Sequence, residues 1–256
     1  MTSTIAIASG KGGVGKTTIS VNLALTLALQ EKKILLLDAD LGMANTHFLL
    51  GINPQKSLED VVSGKDKLKD IIIEYNQNLS FISGEGANLL NLPKLDRLNL
   101  IKEFDSISND YEYLFVDIGA GGEENTMSFM AACEKVIIVL TEDDTSFHDA
   151  YKLIKFSSQE RNIDKFGIIV NLCTSTKRAE NYFKMLQQVT TKFLDVKLNF
   201  LGHVPLSQKI KNSINARVPF MSNRVESQGT RSFKKLASNL VKLENNKPEG
   251  IKFFSD

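Results

Sequence analysis

The chain has 256 residues, of which 42% are hydrophobic and 24% charged, the balance of a soluble globular protein and not of a disordered or fibrous one. Its 31 lysines and arginines nearly cancel 30 aspartates and glutamates, leaving a formal charge of +1, so bulk charge offers no case for nucleic acid or for a polybasic membrane surface. The two cysteines, Cys133 and Cys173, stand far apart with no second Cys or His at ligand spacing, which argues against a disulfide framework or zinc site and for a reducing, cytoplasmic setting.

Short aliphatic runs alternate with longer amphipathic segments, the pattern of β-α-β units around a parallel sheet. Strands are predicted over residues 4–8, 33–37, 79–82, 113–116, 136–140, 166–170 and 198–201; most are apolar on both faces, as strands covered by helices should be. Helical periodicity fits residues 17–29, 96–108, 145–158, 178–193, 207–215 and 231–243. Residues 51–77 are less regular and read as an insertion or a short helical excursion. No stretch reaches the ~18–20 apolar residues of a membrane-spanning helix, and residues 1–4 carry no basic segment of a secretory signal. The expectation is one doubly wound α/β domain over residues 1–243, with a mostly parallel sheet flanked by helices, followed by a flexible tail over 244–256.

Directly after the first strand stands Gly10-Lys11-Gly12-Gly13-Val14-Gly15-Lys16-Thr17-Thr18, which satisfies G-x-x-x-x-G-K-[ST]. Average residue frequencies would produce these four positions in about one chain in a hundred of this size, and here they also fall between a strand and a helix. Glycines let the backbone N–H groups from Gly12 to Thr18 converge on phosphate oxygens, and the following helix adds the positive end of its dipole. Lys16 supplies a charge to the β- and γ-phosphates of ATP, and the Thr17 hydroxyl is a ligand for Mg²⁺. Lys11 adds a second lysine inside the loop, free to serve another nucleotide.

Two further strands end in carboxylates. The second runs into Asp38-Ala39-Asp40-Leu41-Gly42-Met43-Ala44-Asn45, at the sheet edge where phosphates sit and where carboxylates can hold metal-bound water or orient an attacking one. Asp38 suits a metal-shell role or a helix cap equally. The fourth runs into Asp117-Ile118-Gly119-Ala120-Gly121, an apolar strand ending in Asp, the arrangement that holds Mg²⁺ through water. The Gly119 N–H would approach the γ-phosphate and move when it leaves.

The GKGGVGKTT string resembles the deviant Walker A motif of the MinD/ParA family of dimerising P-loop ATPases. The resemblance implies that Lys11 reaches across a homodimer to the partner's phosphates, that Asp40 orients the attacking water and contributes with Thr17 and Asp117 to the metal site, and that Asn171 lies against the adenine. Gly202-His203-Val204-Pro205 is similar to the segment that flanks the base, although Leu206-Ser207 replaces the acidic residue usual there. Within the family the chain is most similar to the FlhG group (FleN, YlxH), on the strength of Asp117–Gly121, the string Asp149-Ala150-Tyr151-Lys152-Leu153-Ile154-Lys155, and Phe193-Leu194-x-Val196. That resemblance implies control of flagellar number or placement, with the flagellar GTPase FlhF or flagellar switch components as partners. Partition and septum-positioning ATPases are the alternatives. Phe233, Leu236, Ala237, Leu240 and Val241 share one helix face with Arg231, Lys234, Lys235 and Lys242 around it. This pattern suits either a helix docked on a sheet or a peripheral membrane contact.

Overall fold

The computed structural model describes residues 2–41, 44–86, 89, 91–223, 225–247 and 250–254, and every predicted run becomes a strand. In chain order the strands are β1 (Ser3–Ala8), β2 (Ile34–Ala39), β3 (Ile73–Asn76), β4 (Leu79–Ile82), β5 (Tyr113–Ile118), β6 (Lys135–Thr141), β7 (Lys165–Cys173) and β8 (Lys197–Pro205). They form one sheet in the order β3-β4-β2-β5-β1-β6-β7-β8. All neighbours pair in parallel except β3 with β4. β3 and β4 are separated by only two residues, and a connection this short permits only an antiparallel return.

The helices are α1 (Lys16–Ala28), α2 (Thr46–Leu50), α3 (Leu58–Val62), α4 (Lys94–Glu103), α5 (Glu124–Ala131), α6 (Asp144–Arg161), α7 (Thr176–Phe193), α8 (Gln208–Asn215) and α9 (Gln228–Val241). Successive strand residues point to opposite faces, so Ala6 and Ala8 belong to a core under α4 to α7, and Ile5 and Ile7 to one under α1, α8 and α9. Several helix starts follow from side-chain caps: Asp143 accepts the Ser146 N–H, Ser175 the Arg178 N–H and Ser227 the Thr230 N–H.

Of the two readings of the C-terminal helix, the structure has the docked one. Phe233, Leu236, Ala237 and Leu240 of α9 are buried against β8 and α1, so the face that would enter a membrane is already spent on the core. Lys135 Nζ, buried in β6, donates to the carbonyls of Leu240 and Val241 and caps the helix. Nor do the described tail residues hang free. The Asn246 side chain accepts the Lys165 N–H at 2.9 Å and donates to the Lys165 carbonyl at 3.0 Å. Phe253 and Phe254 are 2% and 8% exposed, packed on the sheet face opposite α9 among the residues under α4 and α5. No helix among the described residues is long and apolar enough to cross a membrane.

Candidate nucleotide site

β1 lies between β5 and β6 in the sheet, and the loop from Ser9 to Gly15 leaves its C-terminal end there, where open α/β sheets place their ligand crevices. Gly15 adopts φ +84°, and a Cβ on it would stand 2.4 Å from Asn171 Nδ2. A Cβ on Gly10 would meet the Asp149 carbonyl carbon at 2.2 Å. The loop is thus wedged between the end of β7 and the flank of α6, and glycine is required at both contacts.

A cleft of about 670 Å³ opens above it, lined by Gly12, Gly13, Gly15, Lys16, Thr17, Thr18, Asp40, Gly119 and Thr126 among others. Of the residues expected for the phosphate and switch roles, Lys16, Thr17, Asp40 and Gly119 line this one cleft. Asp40 is half-buried; burial holds its carboxyl above the ordinary range, with Lys16 pulling the other way. A Cβ on Gly119 would lie 3.2 Å from Asp40 Oδ1 and 3.5 Å from Thr126 Oγ1, so the two acidic segments press on each other across the cleft floor. Gly42 and Met43 lie outside the described residues.

Asp117, at the end of β5, lies one layer below the cleft lining. Its Oδ1 accepts from Lys16 Nζ at 2.8 Å and from Ser20 Oγ at 2.8 Å, its Oδ2 from Thr46 Oγ1 at 3.2 Å, and it has no exposed surface. It sits beneath the loop as the counter-ion of Lys16. Asp38, beside it in the β2–β5 register, accepts the N–H groups of Asp40, Asn45 and Thr46 and so shapes the turn into α2. Burial and the neighbouring Asp117 push Asp38 up to about 6.

The remaining candidates lie at the margins. Val14 is buried, and its carbonyl accepts from Asn171 Nδ2 at 2.8 Å, so that amide is committed to the loop backbone. Val204 and Pro205 are buried at the end of β8 and do not line the cleft. Lys11 turns away to α6, with Nζ 2.5 Å from Thr145 Oγ1 and 3.3 Å from Asp143 Oδ1. Asp143 is held well below the usual carboxylate range by hydrogen bonds from the Thr141 and Thr145 hydroxyls and the Ser146 N–H, so it stays ionised beneath that lysine.

Some site residues escaped the sequence reading. Ser20 follows Lys16 by one helical turn, a spacing that could have marked it; Thr46 reaches Asp117 from 71 positions away and left no local signal. Asn125 and Glu123 line the cleft at the entry to α5. That entry is braced by Arg97, only 3% exposed, through Nη1 to Asn125 Oδ1 at 2.5 Å and to the Leu92 carbonyl at 3.2 Å. Glu124 accepts Arg97 Nη2 at 3.3 Å and, through both oxygens, Arg161 Nη2 at 2.7 Å, tying α4, α5 and α6 together.

A glycine nest at a helix start, a lysine paired with a buried aspartate and a hydroxyl at the head of the helix define a phosphate-binding loop of the P-loop type. Comparison with known proteins agrees. A ParA family profile, described as "NUBPL iron-transfer P-loop NTPase", matches residues 1–241. The antiactivator FleN of Pseudomonas aeruginosa is 34% identical over 235 residues, covering 91% of this chain and 84% of its own. The flagellum site-determining protein YlxH of Helicobacter pylori is 31% identical over 258 residues, 98% and 87% of the two chains. The structure of the septum site-determining protein MinD from Pyrococcus horikoshii, complexed with Mg-ADP, superposes with a TM-score of 0.78 at 27% identity over 94% of this chain and 97% of that one. The chain belongs to the ParA/MinD family of P-loop ATPases. Cys133 and Cys173 are both buried, one beside the end of α5 and the other at the end of β7.

Proposed function

We propose that this protein is an ATP-driven switch that pairs face to face with a second copy when ATP is bound, hydrolyses it slowly, and regulates flagellar number or placement. The observation that carries the reading is the convergence of Lys16, Thr17 and Asp40 on one cleft walled by the segment from Gly119 to Thr126. The groups fit Mg-ATP: the nest and Lys16 suit the phosphate chain, and the Thr17 hydroxyl with the Asp40 carboxylate offers the hard oxygen ligands that Mg²⁺ takes. When bound, the metal would neutralise charge on the phosphates. Asp117 holds Lys16 aimed, Asp40 orients the attacking water, and the Gly119 backbone shifts with the state of the last phosphate. In the paired form Lys11 leaves Asp143 and Thr145 for the partner's phosphates. The flagellar assignment rests on the likeness to FleN and YlxH over nearly the whole chain, with the flagellar GTPase and flagellar switch components as partners.

Calorimetry with Mg-ATP tests the site: Lys16→Ala should lose measurable binding, and an affinity equal to wild type would overturn the assignment. Asp40→Ala should accumulate an ATP-bound dimer, read by light scattering as a doubling of the 28.5 kDa mass; a monomer in saturating ATP would remove that role. Affinity capture with the same variant decides the process. Flagellar components support the reading, ATP-dependent and salt-sensitive DNA retention favours a partition ATPase, and ATP-dependent liposome binding favours a septum-positioning one.

A further inference from the structure

The cleft wall that runs from Gly119 to Asn125 is thinly held along its length. Glycine stands at 119, 121 and 122, and a Cβ added to Gly121, at φ +90°, would meet nothing within 4 Å, so packing does not fix this stretch. Near its start the Gly121 N–H donates to the Ser9 carbonyl at 2.9 Å, and Thr126 Oγ1 lies 3.5 Å from the Gly119 oxygen. Its far end is set at Asn125, which lines the cleft and is gripped from behind. The Asn125 Oδ1 accepts from Arg97 Nη1, and its Nδ2 donates to the Leu89 carbonyl at 3.3 Å.

Arg97 holds that asparagine at a cost in stability. A buried guanidinium is unfavourable unless its charge and its donors are all answered. Here Nε has no partner among the described residues. The one carboxylate opposite, Glu124, is more than half exposed and stands 3.3 Å from Arg97 Nη2 but 2.7 Å from Arg161 Nη2. For packing alone, an apolar side chain of similar length would serve α4 better. What the guanidinium supplies instead is a junction: Nη1 bonds at once to the Leu92 carbonyl just before α4 and to Asn125 in the cleft wall, so the entry to α5 is indexed to the entry to α4.

We infer that Arg97 is a positioning residue for hydrolysis: from outside the cleft, and through Asn125, it fixes where the wall from Gly119 to Asn125 stands, and so sets the rate of the chemical step and not the affinity for nucleotide. This rests on the ATPase reading above and adds a residue beyond the cleft that governs it. Affinity resides in the nest and Lys16, which Arg97 does not touch. The wall, in contrast, abuts Asp40, since a Cβ on Gly119 would lie 3.2 Å from Asp40 Oδ1. A wall that drifts therefore disturbs the surroundings of the carboxylate assigned to the attacking water, and a misplacement of about 1 Å costs on the order of a hundredfold in rate.

The test measures phosphate release at saturating Mg-ATP, and ATP affinity by calorimetry, for wild type, Arg97→Met, Asn125→Ala, the double variant and Phe253→Ala. Melting curves set a temperature at which every variant is folded. Phe253→Ala is the stability control, because Phe253 meets α5 toward its other end, at Phe129 and Ala132. Arg97→Met should slow release at least about tenfold while ATP affinity stays within about threefold of wild type. The double variant should be no slower than the slower single one, since both changes break the same link. Phe253→Ala should release phosphate within about twofold of wild type, as loss of stability alone leaves the folded site intact. A rate for Arg97→Met within about twofold of wild type, an equal slowing in Phe253→Ala, an affinity loss as large as the rate loss, or single effects that multiply in the double variant overturns the proposal. Wild type that binds ATP and releases no phosphate overturns the ATPase reading, and the proposal with it.

Discussion

Phe253→Ala should be the most costly single change in the C-terminal segment. The Phe253 ring meets Phe104 edge-on with centroids 4.9 Å apart and planes at 83°, and touches Phe129 at 5.9 Å; its N–H donates to the Ala132 carbonyl at 3.2 Å. Removing a buried phenylalanine costs about 3–5 kcal/mol where a cavity remains, and the edge-on pair adds ~0.5–1.5 kcal/mol beyond its area. Part of this is recovered because a terminal segment can undock and let its slot close. A net loss of about 3 kcal/mol is therefore expected, a large share of the ~5–15 kcal/mol that holds a domain together. Urea titration followed by circular dichroism should show the midpoint falling at unchanged slope, whereas Val241→Ala, 46% exposed on α9, should stay within about 0.5 kcal/mol of wild type. If Phe253→Ala also stays within that margin, the segment does not belong to the core and the packing argument fails.

Two other outcomes follow from the site's buried charges. Asp38 titrates near 6 when folded, above its unfolded value, so the folded chain holds a proton that the unfolded chain releases. Its stabilising contribution is complete below about pH 4 and lost as pH rises through 6; Asp38→Asn should therefore narrow its stability gap to wild type by about 2–3 kcal/mol between pH 4 and pH 7.5, and a constant gap in urea titrations would refute this. Arg97→Ala should lower stability by about 1–3 kcal/mol through the Leu92 carbonyl it strips of a donor and the brace it removes from α5. Arg97→Met should cost less, since it fills much of the same volume and removes the buried Nε that has no partner among the described residues. Equal losses in the two variants would refute the volume argument and place the effect in the lost hydrogen bonds.

The phosphate loop was legible because its chemistry is contiguous: nine successive residues carry both the nest and its cation. The strands were legible for a similar reason, being unbroken aliphatic runs. β3 was missed because Ile73-Glu74-Tyr75-Asn76 is a short edge strand whose alternation blends into a polar loop, and α5 because its eight residues mix Asn, Ser and Met with little periodicity. The Lys16–Asp117 pair spans 101 positions. A sequence shows that both ends exist, and only the fold shows that the aspartate spends its oxygens on lysine, serine and threonine. The helix carrying Phe233, Leu236 and Leu240 was ambiguous in principle, because an apolar face ringed by basic residues is the same whether it meets a bilayer or a sheet.

Lys11 makes one more point about timescale. Its side chain is 38% exposed and that of Asp143 46% exposed, and an ion pair so open to water is worth under about 1 kcal/mol, a factor of roughly five in occupancy. Lys11 is thus parked and not locked. It leaves α6 unaided a substantial fraction of the time, on the ps–ns scale of exposed side chains. In the pairing proposed above, a second copy would find the lysine already sampling open water, so the barrier would lie in bringing two surfaces together and not in freeing this residue.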